Sequence, residues 1–142
     1  MRIADVLRRK GDVVATIAPE ELVTVLLDRL AEHRIGALVV SSDGTTVEGI
    51  VSERDVVRRL QRDGVATLTL QVQEIMTREV HTCRPGDGIE DLMRVMTERR
   101  IRHVPVVVDG RLKGIVSIGD VVKHRIDELQ VERDQLTAYI TG

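Results

Sequence analysis

Two short patterns carry chemistry, Ser52-Glu53-Arg54-Asp55 and Ser117-Ile118-Gly119-Asp120, each behind a glycine and two apolar residues, Gly49-Ile50-Val51 and Gly114-Ile115-Val116. An ionised carboxylate only accepts hydrogen bonds, and a ribose presents two adjacent hydroxyls. One aspartate can therefore take both hydroxyls of a sugar diol. The same pattern ahead of an apolar helix is also a capping box, in which the serine accepts from a helical amide and the acid reaches back to the serine amide. The residues alone leave both readings open. A carboxylate repels phosphate, so a phosphorylated ligand needs cations from elsewhere. Arg54 lies inside the first pattern, and Arg102-His103 opens an apolar run in the second half.

Other reactive residues do not assemble into a catalytic pattern. His33, His81, His103 and His124 lack the paired spacing of metal ligands, and Cys83 has no evident base beside it. No phosphate-cradling loop ending in Gly-Lys-Ser/Thr is present. The sequence therefore offers no catalytic residue and no metal site. Arg99, Arg100 and Arg102 read as a solvated helix end, where cations suit the helix dipole.

The elements that must position these residues occur twice. Val14, Thr16 and Pro19 match Val80, Thr82 and Pro85; Arg34-Ile35 matches Arg100-Ile101; and Asp43-Gly44 matches Asp109-Gly110. After a one-residue deletion in the second copy, Asp55-Val56-Val57 matches Asp120-Val121-Val122. Each copy opens with a short apolar strand, Val13 to Ile17 or Val80 to Cys83. A helix follows, with Leu22, Val23, Leu26, Leu27 and Leu30, or Ile89, Leu92, Met93 and Met96, on one face. Strands at Ala37 to Ser41 and His103 to Val108 then turn at Asp-Gly, a tight-hairpin pair, into Val47 to Val51 and Leu112 to Val116. A second helix starts at Ser52 or Ser117.

This order of elements, the duplication and the closing Gly-apolar-apolar-Ser-x-x-Asp resemble cystathionine beta-synthase (CBS) domains over residues 1 to 126. The resemblance implies an α/β (α+β) fold of two strand-helix-strand-strand-helix repeats packed with pseudo-twofold symmetry, with an extended C-terminal helix added here. The boundaries are 1–64 for the first repeat, 65–73 for a linker, 74–126 for the second repeat and 127–142 for a helical tail. It further implies a stand-alone regulatory module that binds an adenine nucleotide (AMP, ADP or ATP). In that reading Ser52, Asp55, Ser117 and Asp120 hold the ribose, and Arg54, Arg102 and His103 face the phosphates. Thr16 and Thr82, on the opening strands, add further contacts. The copies differ, with Gly36-Ala37 in the place of Arg102-His103 and Ile118-Gly119 in the place of Glu53-Arg54. The expectation is tighter binding at Asp120, because the second copy keeps a basic strand beside its ribose motif.

Composition bounds the partners. Hydrophobic residues make up 42% and charged residues 31% of the 142, the balance of a soluble globular chain with a real core. With no Phe, no Trp and only Tyr139, a bound base must lie between aliphatic side chains. A net charge of −2 gives no general pull towards nucleic acid or anionic lipid. The N-terminus reaches Arg8, Arg9 and Lys10 without a signal-type apolar core, and no stretch approaches the roughly 20 apolar residues of a membrane span, so a cytoplasmic protein is expected. In the tail, Val122, Ile126, Leu129, Leu136 and Ile140 follow coiled-coil spacing with Arg133 in the remaining slot, which predicts a homodimer. The expected function is a nucleotide sensor read by an unidentified protein partner, with a structural dimerisation module without ligand as the alternative; an enzyme acting on a nucleotide is disfavoured, because no nucleophile with its base, metal cluster or phosphate-cradling loop is present.

Overall fold

The computed structural model describes residues 1–11 and 14–141. Val13, assigned from sequence to the first opening strand, lies outside the described residues. The chain runs α1 (Ile3–Lys10), β1 (Thr16–Ile17), α2 (Val23–His33), β2 (Ala37–Val40), β3 (Gly49–Ser52) and α3 (Glu53–Asp63). A 3₁₀ turn (Gly64–Thr69) and a short α4 (Val72–Ile75) lead to α5 (Ile89–Arg99), β4 (His103–Val108), β5 (Arg111–Ser117) and α6 (Ile118–Thr141).

In the first repeat β1 pairs in parallel with β2, and β2 in antiparallel with β3; in the second, β4 pairs in antiparallel with β5. The strand expected at Val80 to Cys83 shrinks to a single parallel bridge between Cys83 and Val106. The reason lies upstream, where Thr77 exchanges backbone hydrogen bonds of 3.0 and 2.9 Å with Ile50 of β3. This segment thus crosses from the edge of one sheet to the edge of the other. Both α2 and α5 end on an arginine with φ of 54°, Arg34 and Arg100, and the amides of Ile35 and Ile101 return to the carbonyls of Leu30 and Met96. That left-handed cap satisfies orphan carbonyls and turns the chain directly into the following strand.

The two Asp-Gly turns are not alike. Asp109 and Gly110 both have positive φ and close the two-residue hairpin read from the sequence. In the first repeat only Gly44 does, and β2 and β3 are joined by a wider loop. Its organiser is Asp43, whose carboxylate accepts from the amides of Thr45 and Thr46 and from the Thr46 hydroxyl at 2.7–2.8 Å. These bonds hold the Asp43 carboxyl far below the usual carboxylate range.

Two aliphatic cores form, and each is completed by a segment from the other half. Ile3 and Val6 of α1 pack with Cys83, Ile89, Leu92, Met96, Val104, Val106, Val116 and Val121 of the second repeat. Val72 and Ile75 of α4 pack with Ile17, Val23, Leu26, Leu30, Leu38, Val40, Val51 and Val56 of the first. Backbone bonds repeat the exchange, Ala4 donating to the Pro85 carbonyl and Gln73 to the Pro19 carbonyl, the two prolines that match in sequence. Full burial of each Val, Leu or Ile contributes about 1.5–3 kcal/mol, so this crossing locks the halves together. The sequence reading placed residues 1–10 in the first repeat, and 72–76 across the linker and the start of the second; in space each segment packs on the opposite half. Glycine permits the close approach, since a Cβ on Gly114 would stand 2.6 Å from Leu7 Cδ2 and one on Gly49 2.7 Å from Met76 Sδ.

Candidate functional site

Between the repeats lies an open cleft of about 500 Å³. The first repeat supplies Gly36, Ala37 and Ile50 from its sheet, and Ser52, Glu53, Arg54, Asp55 and Arg58 from the start of α3. The second supplies the crossing segment, with Thr77, Glu79, Val80 and His81, and the corner from Arg99 to His103.

Ser52 and Asp55 form the expected capping box. The Asp55 amide donates to Ser52 Oγ at 3.4 Å, and Asp55 Oδ2 accepts from the Ser52 amide at 2.8 Å and from its hydroxyl at 3.0 Å. Oδ1 has no protein partner among the described residues, so the cap fixes the carboxylate while leaving an acceptor for a ligand. The capping and binding readings of this motif are therefore compatible.

Five arginines, Arg54, Arg58, Arg99, Arg100 and Arg102, line this cleft, and among the described residues none has an ion pair with a carboxylate. They face three acids, Glu53, Asp55 and Glu79. The cleft is therefore cationic although the chain is not. Its apolar lining is aliphatic: Ala37, Ile50, Val80 and Ile101.

The structure brings Arg102 and His103 to Ser52, Arg54 and Asp55. His103 also pairs with Ser117 and the Ile118 amide donates to the Arg102 carbonyl at 2.8 Å, so the same strand adjoins the Asp120 motif as the sequence reading expected, while its residues line the cleft that holds Asp55. Gly36 lies against the His103 ring, where a Cβ would stand 3.4 Å from Cε1, an ordinary van der Waals contact. His103 is half-buried; burial lowers its pKa below the ordinary 6.5, the charges of Lys10 and Arg102 add to that, and Asp120 opposes it. The lowered pKa favours the neutral form of the ring, which can donate or accept a hydrogen bond.

Ser117 and Asp120 make the equivalent cap on α6, with the Ser117 amide 2.9 Å from Asp120 Oδ2 and the Asp120 amide 3.1 Å from Ser117 Oγ. Lys10 Nζ lies 2.7 Å from the same Oδ2. Burial raises the Asp120 carboxyl, but the bonds from Lys10 and Ser117 outweigh it and hold the group below its usual range. The adjoining hollow is only about 220 Å³ and is lined by Val6, Arg9, Lys10, Asp120, Lys123 and His124.

Thr16 and Thr82 are not among the residues lining the central cleft. Thr16 pairs with Val39 inside the first sheet, and Thr82 faces a separate groove with Val107 and Val108. Alternation along extended chain separates Thr82 from its neighbour His81, which does reach the cleft. Sequence reasoning missed Arg58 and Glu79 and left Arg99 and Arg100 as a solvated helix end. Arg58 carried a signal, lying one helical turn after Arg54. Among the described residues no group of three His, Cys, Asp or Glu is placed to hold a metal ion, and no helix is long and apolar enough to cross a membrane.

A duplicated α/β unit with a cleft at its internal axis defines a class of paired-repeat modules. The CBS domain family model matches residues 3–62 and 72–127, and the chain belongs to this family. CBS domain-containing protein CBSX3, mitochondrial, of Arabidopsis thaliana is 35% identical over 148 aligned positions, covering 99% of this chain and 72% of that protein. The crystal structure of the CBS-domain containing protein ATU1752 from Agrobacterium tumefaciens superposes with a TM-score of 0.85 at 44% identity, covering 88% of this chain and 99% of that one. The CBS domain pair of protein MJ0100, solved with 5′-methylthioadenosine and S-adenosyl-L-methionine, shares the fold with a TM-score of 0.79 at 24% identity, covering 90% of this chain and 98% of that one.

Proposed function

We propose that this chain is a regulatory module that binds an adenine nucleotide, AMP, ADP or ATP, in the cleft between its repeats and performs no chemistry on it. The observation that carries the reading is one carboxylate, Asp55, presenting an unpartnered oxygen among five unpaired arginines in a cleft with aliphatic sides. Asp55 accepts the ribose hydroxyls and Ser52 holds it in place. The base lies against Ile50, Val80 and Ile101, and Arg54, Arg102 and their neighbours neutralise phosphate, with His103 adding a hydrogen bond. A pair of the same fold accommodates adenosine compounds. The cationic lining here favours a phosphorylated one, since the sulfonium of S-adenosylmethionine would meet like charge.

Because both repeats line the cleft, a ligand that fits one arrangement of the halves better than another shifts them towards it, and a partner protein reads that change. The tail supports a homodimer as the unit that transmits it. Ile126, Leu129, Leu136 and Ile140 remain 48–79% exposed on α6, so the heptad stripe is not covered by its own module. A thermal-shift series with AMP, ADP, ATP, adenosine and 2′-deoxy-ADP tests the binding. The expected result is a rise in Tm that is larger for the nucleotides than for adenosine and reduced by loss of the 2′-hydroxyl. No shift with any of them at millimolar concentration defeats the proposal.

A further inference from the structure

The two cap aspartates differ in what the exchanged arms bring to them. α1 continues as a helix through Lys10, whereas α4 stops at Ile75 and the backbone is extended at Met76. Matching Leu7 over Gly114 with Met76 over Gly49 puts Lys10 at the position that Glu79 holds in the other half. Glu79 lies in the open cleft beside Asp55, where one acid cannot neutralise another. Lys10 instead folds onto Asp120, its Nζ 2.7 Å from Oδ2 and 2.9 Å from the Ile115 carbonyl oxygen. The pair is largely withdrawn from solvent, with side chains 33% and 26% exposed.

We propose that Lys10 is the residue that decides how many ligands the chain takes: its ammonium occupies, as a tethered cation, the place at Asp120 that a sugar diol requires, so one nucleotide binds, at Asp55. This rests on the reading of the Asp55 cleft given above. Hydroxyls and an ammonium both make charge-assisted bonds to a carboxylate, but only the ammonium adds an opposite charge, and a sugar that displaced it would leave that charge unpaired. Lys10 also has the advantage of being attached, since its helix is anchored by Ile3 and Val6 in the second core. The lowered Asp120 carboxyl agrees with this, the hydrogen bonds from Lys10 and Ser117 overcoming the effect of burial. Oδ1 of Asp120, like that of Asp55, has no partner among the described residues, so what separates the two sites is the ammonium held on Asp120.

Calorimetric titration with ADP tests it on four full-length chains: wild type, Lys10→Gln, Asp55→Ala and Asp55→Ala/Lys10→Gln. Wild type should take one ADP per chain and Lys10→Gln two. The double variant should bind at least about tenfold more tightly than Asp55→Ala alone, the scale of one lost charge-assisted bond. Lys10→Met, which keeps the length of the stem, should reproduce the gain, and urea unfolding of each chain verifies that α1 stays docked. A double variant no better than Asp55→Ala, or a wild type that already takes two ADP, overturns the proposal. A wild type that binds no ADP defeats the functional reading instead, and Lys10 is then decided by whether Lys10→Gln gains binding: gain supports its role, and none refutes it.

Discussion

Replacing each cap aspartate by alanine should separate stability from affinity. Asp55→Ala removes the acceptor for the Ser52 amide but keeps the Ser52 hydroxyl on the backbone amide of residue 55, so it costs about 0.5–1 kcal/mol, the lower part of the range for a helix cap. Asp120→Ala removes the same half of its capping box and also the Lys10 pair, whose one-quarter to one-third exposure limits it to about 0.2–1 kcal/mol, for a total of about 0.7–2 kcal/mol. Asp120→Ala should therefore be the less stable variant by urea unfolding. Affinity should run the other way. Losing a carboxylate that accepts the ribose costs about 1.5–3 kcal/mol, a tenfold to hundredfold weakening at Asp55, while Asp120→Ala leaves ADP binding within about twofold of wild type. Calorimetry at fixed salt reads the affinities. If Asp120→Ala weakens ADP binding as much as Asp55→Ala, the assignment of the site to the first cleft is wrong.

A phosphate beside His103 favours the imidazolium that the free protein disfavours, so affinity for ADP should rise as pH falls from about 8 to 6 and the slope should vanish in His103→Gln. In the absence of ligand the sign is opposite for folding. With the folded pKa below 6.5 the unfolded chain takes the proton first, so stability measured by urea midpoint should drop as pH falls through 6.5 towards the lower folded value. Burial, with a smaller contribution from Asp87, pushes the Cys83 thiol up to about 12, so it should stay inert to thiol reagents at pH 8 until denaturant is added; rapid reaction in the folded state would contradict the packing. Ending the chain after Ile126 removes Leu129, Leu136 and Ile140 and should convert a dimer to a monomer by light scattering, whereas an unchanged dimer removes the tail from the explanation.

The fold was legible because it is written twice. Helical spacing marks the buried faces of α2 (Val23, Leu26, Leu30) and α5 (Ile89, Leu92, Met96), although Leu22, placed on the same face, caps α2 and stays exposed; Ser52 and Ser117 mark where α3 and α6 begin. Asp109-Gly110 identified its hairpin because both residues adopt the turn conformation; Asp43-Gly44 did not, because the Asp43 side chain gathers a wider loop. Within the site, Ser52, Arg54 and Asp55 are local in sequence and were found together. What the sequence did not show is long-range. The exchange of α1 and α4 rests on core packing across the halves, and only that crossing brings Lys10 to Asp120 and Glu79 into the Asp55 cleft. The meeting of Arg102 and His103 with Ser52, Arg54 and Asp55 is likewise long-range, set by how the two repeats pack across the cleft.

A crystal structure of the chain grown with ADP tests the central claim most directly. The account predicts a single nucleotide per chain between the repeats, its 2′- and 3′-hydroxyls on the Asp55 carboxylate, its base against Ile50, Val80 and Ile101, and its phosphates among Arg54, Arg102 and His103, with Lys10 still on Asp120. Density for the nucleotide at Asp120 alone, or an ordered cleft at Asp55 that stays empty at saturating ADP, would contradict it.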